Sequence, residues 1–254
     1  MDEALARTLI ELDCAFYRAH AASFSATRQA PWPGWQRVAD LAGNALAPGS
    51  SPAVLDLACG NLRFERFLSE RARGCAPVFF AVDSCPELAT AADGLDVRYR
   101  RSDVLTELLA GRDPLAGVPS CDLVACFGFM HHVPGIDLRL GLARALARRL
   151  APGGLLACSF WRFMDDPRLA AKAGAADARA ADLLGARAAR LEAGDHFLGW
   201  QDDASALRYC HHAGESEIDR ISAELGRLGV DEIDRFCADG RTGRLNRYLV
   251  CRRR

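Results

Sequence analysis

The chain has 254 residues, half of them hydrophobic and 26% charged, with mean hydropathy near zero. That composition allows a sizeable core and excludes a disordered or fibrous chain. The net charge of −1 excludes a global basic field that would gather DNA, though not a local patch that reads a structured RNA.

No apolar run reaches the roughly 18–20 residues of a membrane helix, and Met1-Asp2-Glu3 opens no signal peptide. The ten cysteines are scattered without a Cys-x-x-Cys pair, which argues for reduced thiols in a cytoplasmic protein and against a metal centre. The adjacent Cys210, His211 and His212 cannot all point one way along a strand, so they are not read as zinc ligands.

In chain order, Leu5, Leu9, Leu12, Phe16 and His20 recur at helical spacing and predict a helix over 3–22. Ser23 to Arg28 and Pro31-Trp32-Pro33 follow as an extended or turn segment, then a helix over 34–47 closed by Pro48-Gly49-Ser50. Strands are expected at 53–57, 77–82, 95–100, 121–127 and 155–160, with helices at 62–73, 86–92 and 136–150 between them. This alternation predicts a doubly wound α/β domain with a mostly parallel sheet. Arg139, Arg144, Arg148 and Arg149 read as a solvated helix face.

The Ala- and Arg-rich stretch 163–207 reads as an inserted helical or partly mobile excursion. A helix at 215–228 and an antiparallel strand pair at 229–237 and 244–251 end the chain. The organisation is one domain: an N-terminal lid (1–48), a binding core (50–160), the insertion (163–207) and a C-terminal helix and strand pair (208–254).

The strongest chemical signal is the run from Val54 to Asn61, a buried strand leading through Asp56, Ala58, Cys59, Gly60 and Asn61 into a helix. Ligands of doubly wound sheets sit at the carboxyl ends of the strands, where small residues admit them to the backbone. Asp83, with Ser84 beside it, ends the next strand at the place from which an acid holds a ribose diol. The loop is not Gly-x-Gly-x-x-Gly, so a single nucleoside with a short charged tail fits better than a dinucleotide. Asp103 and Val104 after the third strand would face an adenine, and Phe127-Gly128 after the fourth would line the reacting side.

This set resembles the class I S-adenosylmethionine-dependent methyltransferases over about 50–160 and into the C-terminal strand pair. The resemblance implies S-adenosyl-L-methionine as cofactor and a seven-stranded Rossmann-like sheet. Two departures stand out: the family usually has glycine where Ala58 stands and often at Leu62, and Leu62 would narrow the methionine side of the pocket.

A narrower resemblance lies outside that core. Phe24-Ser25-Ala26-Thr27-Arg28 with Pro31-Trp32-Pro33 is similar to the N-terminal motif of the tRNA methyltransferases that act on wobble 5-carboxymethyluridine. Met130-His131-His132-Val133, Phe160-Trp161, Phe197 with Trp200, and Arg208-Tyr209-Cys210-His211 match further segments in order. The resemblance implies a tRNA carboxylate as acceptor, and as a possible partner a small zinc-binding activator protein that pairs along a sheet edge.

A carboxylate acceptor needs no general base, only donors that place it, and Arg28 has the bidentate fork for that. His131 and His132 could donate to the acceptor or take a proton from a different one. Trp32, Trp161, Arg208, Tyr209 and His211 would form the substrate side and lid. A small-molecule carboxyl- or O-methyltransferase and a non-catalytic cofactor-binding scaffold are the competing expectations.

Overall fold

The computed structural model describes every residue except 72, 73, 90–93 and 202, and the backbone alone at 204. Its centre is a seven-stranded sheet in the order β3-β2-β1-β4-β5-β9-β8. These strands are β1 (Ala53–Leu57), β2 (Val78–Asp83), β3 (Asp96–Arg101), β4 (Cys121–Cys126), β5 (Leu150–Trp161), β8 (Val230–Ala238) and β9 (Asn246–Arg253). β1 to β5 pair in parallel, and β9 is antiparallel to both β5 and β8. The expected sheet and its antiparallel C-terminal pair are therefore present.

Apolar residues on both faces of β1 and β4 explain why helices cover both sides. Leu55, Leu57, Val124 and Cys126 pack under α4 (Val104–Leu109), α5 (Ile136–Ala147) and α7 (Glu215–Arg227). Val54, Leu123 and Ala125 pack under α2 (Pro33–Ala42) and α3 (Arg63–Arg71) with Trp35, Phe64 and Tyr248.

Several elements differ from expectation. The first helix, α1, runs from Glu3 to Ala26, with the partly buried Phe24 packed beside Ala21, Cys85 and Leu88, and it stops at Thr27, whose N–H bonds back to Phe24 and Ser25. The Phe24–Arg28 segment thus rides on a helix end, not on an extended loop. The helix expected at 34–47 is α2 followed by a 3₁₀ turn at Gly43–Leu46. Pro86 to Leu88 forms only a turn, and the remainder of the helix expected there, like the end of the 62–73 helix, falls outside the described residues. The fifth strand opens at Leu150 and absorbs Pro152-Gly153-Gly154 where its register with β4 shifts.

Among its described residues, the stretch 163–207 is largely regular secondary structure. It holds α6 (Pro167–Leu184) and leads into a hairpin of β6 (Asp195–Trp200) and β7 (Asp203–His211), which forms a separate two-stranded sheet. The hairpin lacks a plain apolar alternation because Asp195, Arg208 and His211 are buried ionisable residues that pair with one another or with neighbouring helices. Arg139 is likewise not on a solvated face. It is 1% exposed and held by Glu192 and Glu217.

Candidate active site

A cavity of about 470 Å³ opens at the carboxyl ends of β1, β2 and β4, beneath the end of α1 and the segment joining it to α2. Its size is within the roughly 300–1,000 Å³ of small-molecule sites. Asp56, Ala58, Cys59, Gly60 and Asn61 line one wall, continuing into Asp83, Ser84, Asp103, Val104 and Phe127. Arg28, Trp32, His131, His132, Trp161 and Arg208 line the other.

Tyr209 and His211 do not line it. The Tyr209 hydroxyl donates to Asp195 at 2.6 Å, and His211 is clasped between Asp195 and Glu217 at 2.7 Å each. Alternation along β7 explains this: Arg208 and Cys210 face one side of the hairpin, Tyr209 and His211 the other.

The first loop makes its turn in left-handed backbone. Ala58, Gly60 and Leu62 have φ of 61°, 54° and 59°, which is why glycine suits these places. Leu62 points away from the cavity into a cluster with Cys59, Ala81, Val97 and Tyr99, so it does not narrow the pocket. Asp83 accepts from the N–H of Gly60 at 2.9 Å and of Cys85 at 2.8 Å, which fixes its carboxyl at the β2 edge. Burial raises its pKa against those bonds. Asp103 caps α4, accepting from the Thr106 N–H at 3.1 Å. Asn61 also donates to the Arg28 carbonyl at 2.8 Å, and Arg63 to that of Ala30 at 2.7 Å, so the loop latches the N-terminal segment over the cavity. Gly128, at φ 66°, lies where a Cβ would meet the Trp32 ring at 3.1 Å.

The opposite wall is cationic and aromatic. Arg28 is half-buried, stacked 3.6 Å from the Phe24 ring centroid and 5.4 Å from that of Trp200. Burial, with Arg208 and Arg63 nearby, pulls its pKa down to about 10. Arg208 is 5% exposed and lies among Phe16, Phe24, Trp161 and Trp200 at 5.0–5.8 Å. Neither guanidinium makes an ion pair with a described carboxylate; Arg28 donates to Thr27, and Arg208 reaches the Tyr17 hydroxyl.

Two residues absent from the sequence reading complete this wall, Asp13 and Tyr17 of α1. His132 Nδ1 lies 2.9 Å from Asp13 and 3.0 Å from the Tyr209 carbonyl. A carbonyl only accepts, so Nδ1 carries a proton, and Nε2 lies in a hydrogen bond with the Tyr17 hydroxyl at 2.8 Å. Asp13, His132 and Tyr17 thus form one chain of hydrogen bonds, with Arg208 beside the Tyr17 hydroxyl. Neither Asp13 nor Tyr17 belongs to the apolar stripe of Leu5, Leu9, Leu12, Phe16 and His20 from which the helix is read. His131 is different. Its Nδ1 is buried without a partner, and burial with His132 and Arg208 close by depresses its pKa, so the ring is neutral.

Two groups bring three possible metal-ligand atoms together, His131-His132-Cys210 and Glu192-Asp195-His211. The hydrogen bonds just described occupy both ring nitrogens of His132 and of His211.

A family model described as a methyltransferase domain matches residues 28–226. The chain belongs to that family. No curated protein matches the sequence. Among solved structures, an S-adenosylmethionine-dependent methyltransferase from Methanosarcina mazei is similar at a TM-score of 0.57 and 15% identity, over 80% of this chain and 92% of that one. The 1,6-didemethyltoxoflavin-N1-methyltransferase of Burkholderia thailandensis gives 0.54 and 16%, over 94% and 88%. An amino pentose methyltransferase from Micromonospora echinaspora gives 0.55 and 17%, over 93% and 97%. At these identities the likeness is one of fold.

The cavity also fits S-adenosyl-L-methionine, the cofactor of this enzyme class. The ribose end has a fixed acid in Asp83, and the turn at Gly60 leaves open space where a Cβ would stand. The far end has a buried Asp56 oxygen without a hydrogen-bond partner. Among the described residues no helix is long and apolar enough to cross a membrane.

Proposed function

We propose that the protein transfers the methyl group of S-adenosyl-L-methionine to a carboxylate-bearing small molecule, with Arg28 and Arg208 holding the carboxylate. The observation that carries this is the pair of guanidiniums on the cavity wall without a carboxylate partner. A buried cation such as Arg208 without a directly paired anion is costly, and a site that keeps it beside the half-buried Arg28 is built for a ligand that brings the charge.

When bound, the cofactor supplies a methyl group already activated by its sulfonium. Asp83 fixes the ribose, Asp103 faces the adenine end, and Asp56 with Gly60 and Asn61 receives the methionine end. Arg28 offers its planar fork to the acceptor. Arg208 is aimed by the chain running from Asp13 through His132 to Tyr17. The acceptor is ionised at neutral pH, so His131 serves as a neutral donor or contact. Phe24, Trp32, Trp161 and Trp200 keep water from the line of attack, and orientation supplies most of the rate.

A second reading keeps the chemistry and changes the acceptor to the carboxylate of 5-carboxymethyluridine in tRNA. The segment from Phe24 to Pro33, on which that resemblance rests, supplies Arg28 and Trp32 to this wall. The zinc-binding activator implied with it would find β3 and β8 as the edge strands of the sheet.

Incubating the protein and deuteromethyl-labelled cofactor with a metabolite extract and with bulk tRNA, followed by mass spectrometry, decides between them. A labelled methyl ester among the small acids supports the first reading. A labelled nucleoside ester supports the second, and label only on hydroxyl or amino groups overturns the carboxylate mechanism.

A further inference from the structure

Behind the cofactor wall lies a second buried acid that the methyl-transfer chemistry leaves unused. Glu65 is in the first turn of α3, on the face that packs against the sheet, and is 0% exposed. It neighbours Asp56, itself 3% exposed. Neither Glu65 oxygen, nor Asp56 Oδ1, meets any donor group of the protein. Two buried neighbouring carboxyls without donors cannot both be ionised, so the pair holds a proton.

The surroundings agree. Burial and the neighbouring Glu65 carboxyl raise the pKa of Asp56, and burial brings that of Glu65 to about 7. The other charged groups facing the pair are Asp83 on β2 and Arg63 and Arg66 on α3. Arg63 in turn faces Tyr248 on β9 and Asp239 before it. Cys59 in the loop is a neutral thiol, its pKa raised by burial.

We propose that the Asp56–Glu65 pair is a proton-bearing gate for the cofactor: it holds a proton in the empty site and releases it when the cationic end of S-adenosylmethionine settles against Asp56. Asp56 reaches the cavity and Glu65 does not, so Glu65 acts through its neighbour as a positioning residue. The balance is simple. One proton leaves to solvent as the ammonium and sulfonium charges take its place against the freed carboxylates. After methyl transfer the sulfonium charge is gone, the pair regains its proton, and the hold on S-adenosylhomocysteine weakens. The pair thereby distinguishes substrate from product by charge, which the adenosine contacts cannot do.

Because binding releases a proton, S-adenosylmethionine affinity rises with pH through the neutral range, by up to about tenfold per pH unit for one proton. This inference rests on the cofactor reading of the cavity, and the test separates the two. Calorimetric titration of the whole protein, in buffers of different ionisation enthalpy and kept below about pH 6.7 so that the cofactor's own amino group stays protonated, counts the protons. The expected result is release approaching one proton with S-adenosylmethionine and clearly less with S-adenosylhomocysteine.

Glu65→Gln should bind without releasing a proton and with pH-independent affinity, because its amide N–H permanently satisfies an ionised Asp56. The comparison of the two cofactors needs no variant, and Glu65→Leu replaces Glu65→Gln if the latter does not fold. Binding of S-adenosylmethionine by the wild type without proton release overturns the gate, as does unchanged release in the Glu65 variant. Failure of either cofactor to bind would overturn the cofactor reading itself.

Discussion

The two walls of the cavity are opposite in charge. On the cofactor side stand Asp56, Asp83 and Asp103; on the acceptor side stand Arg28 and Arg208 in a box of aromatic rings. A sulfonium donor is a cation and a carboxylate acceptor an anion, so each wall complements the ligand proposed for it. Their reaction annihilates both charges, and such a step is favoured where aromatic rings replace water. The walls also differ in origin. The acids close the ends of consecutive sheet strands, whereas the acceptor wall is assembled from α1, the turn after β4, the end of β5, and β7.

If this division holds, damage on each side should stay on that side. The largest effect is expected for Asp83→Ala, which removes the ribose acceptor. S-adenosylmethionine affinity should fall by about a hundredfold, about 2.7 kcal/mol. Calorimetry that finds affinity unchanged would remove Asp83 from the site. On the other wall, Arg28→Lys keeps the charge and loses the fork. Turnover should fall about tenfold to a thousandfold, about 1.4–4 kcal/mol of transition-state stabilisation, with cofactor affinity nearly intact. Equal losses in both quantities would merge the two walls into one.

Within the acceptor wall, Tyr17→Phe frees the Arg208 guanidinium from its orienting oxygen. A loss of about tenfold, about 1.4 kcal/mol, is expected in kcat/KM for the acceptor, with no change in cofactor binding. His211 provides a contrast, being a histidine of the same hairpin sealed off from the cavity. Burial works against its charge, but the hydrogen bonds to Asp195 and Glu217 outweigh this and raise its pKa. A raised histidine pKa contributes stability that is fully present below the unfolded value of about 6.5 and is lost as pH rises through the folded one. Denaturant titrations of His211→Gln should therefore show that pH slope gone and about 1–3 kcal/mol lost at acid pH, while activity per folded molecule persists.

The unequal origin of the walls explains what could be read in advance. Val54 to Asn61 carries a strand, a turn and the start of a helix in eight consecutive positions, so Asp56 and Gly60 were placed by local pattern alone. Arg28 and Arg208 were singled out only through a resemblance, because nothing local says that residues so far apart share a wall. Asp13 and Tyr17 escaped because they lie outside the apolar stripe that marks the first helix, and nothing local says which of its other residues turn toward a cavity. The β6–β7 hairpin escaped because its buried ionisable residues disguise the strand period. Arg139 looked solvated for the same reason, since its partners Glu192 and Glu217 come from later in the chain.

The smallest effect concerns Leu62, where two terms of similar size oppose each other. Its left-handed backbone, φ 59°, costs a branched side chain about 1–2 kcal/mol, which glycine would relieve. Its side chain is 3% exposed among Cys59, Ala81, Val97 and Tyr99, and deleting a buried leucine costs about 2–5 kcal/mol. Leu62→Gly should therefore lose about 1–2 kcal/mol in urea titration, the packing term exceeding the strain. Leu62 itself does not line the cavity, so S-adenosylmethionine affinity should stay within about threefold, under about 0.7 kcal/mol. A gain in stability would mean that backbone strain governs this turn. A large change in affinity would mean that the cofactor wall extends through the loop to its buried side, and the division between walls would then have to be redrawn there.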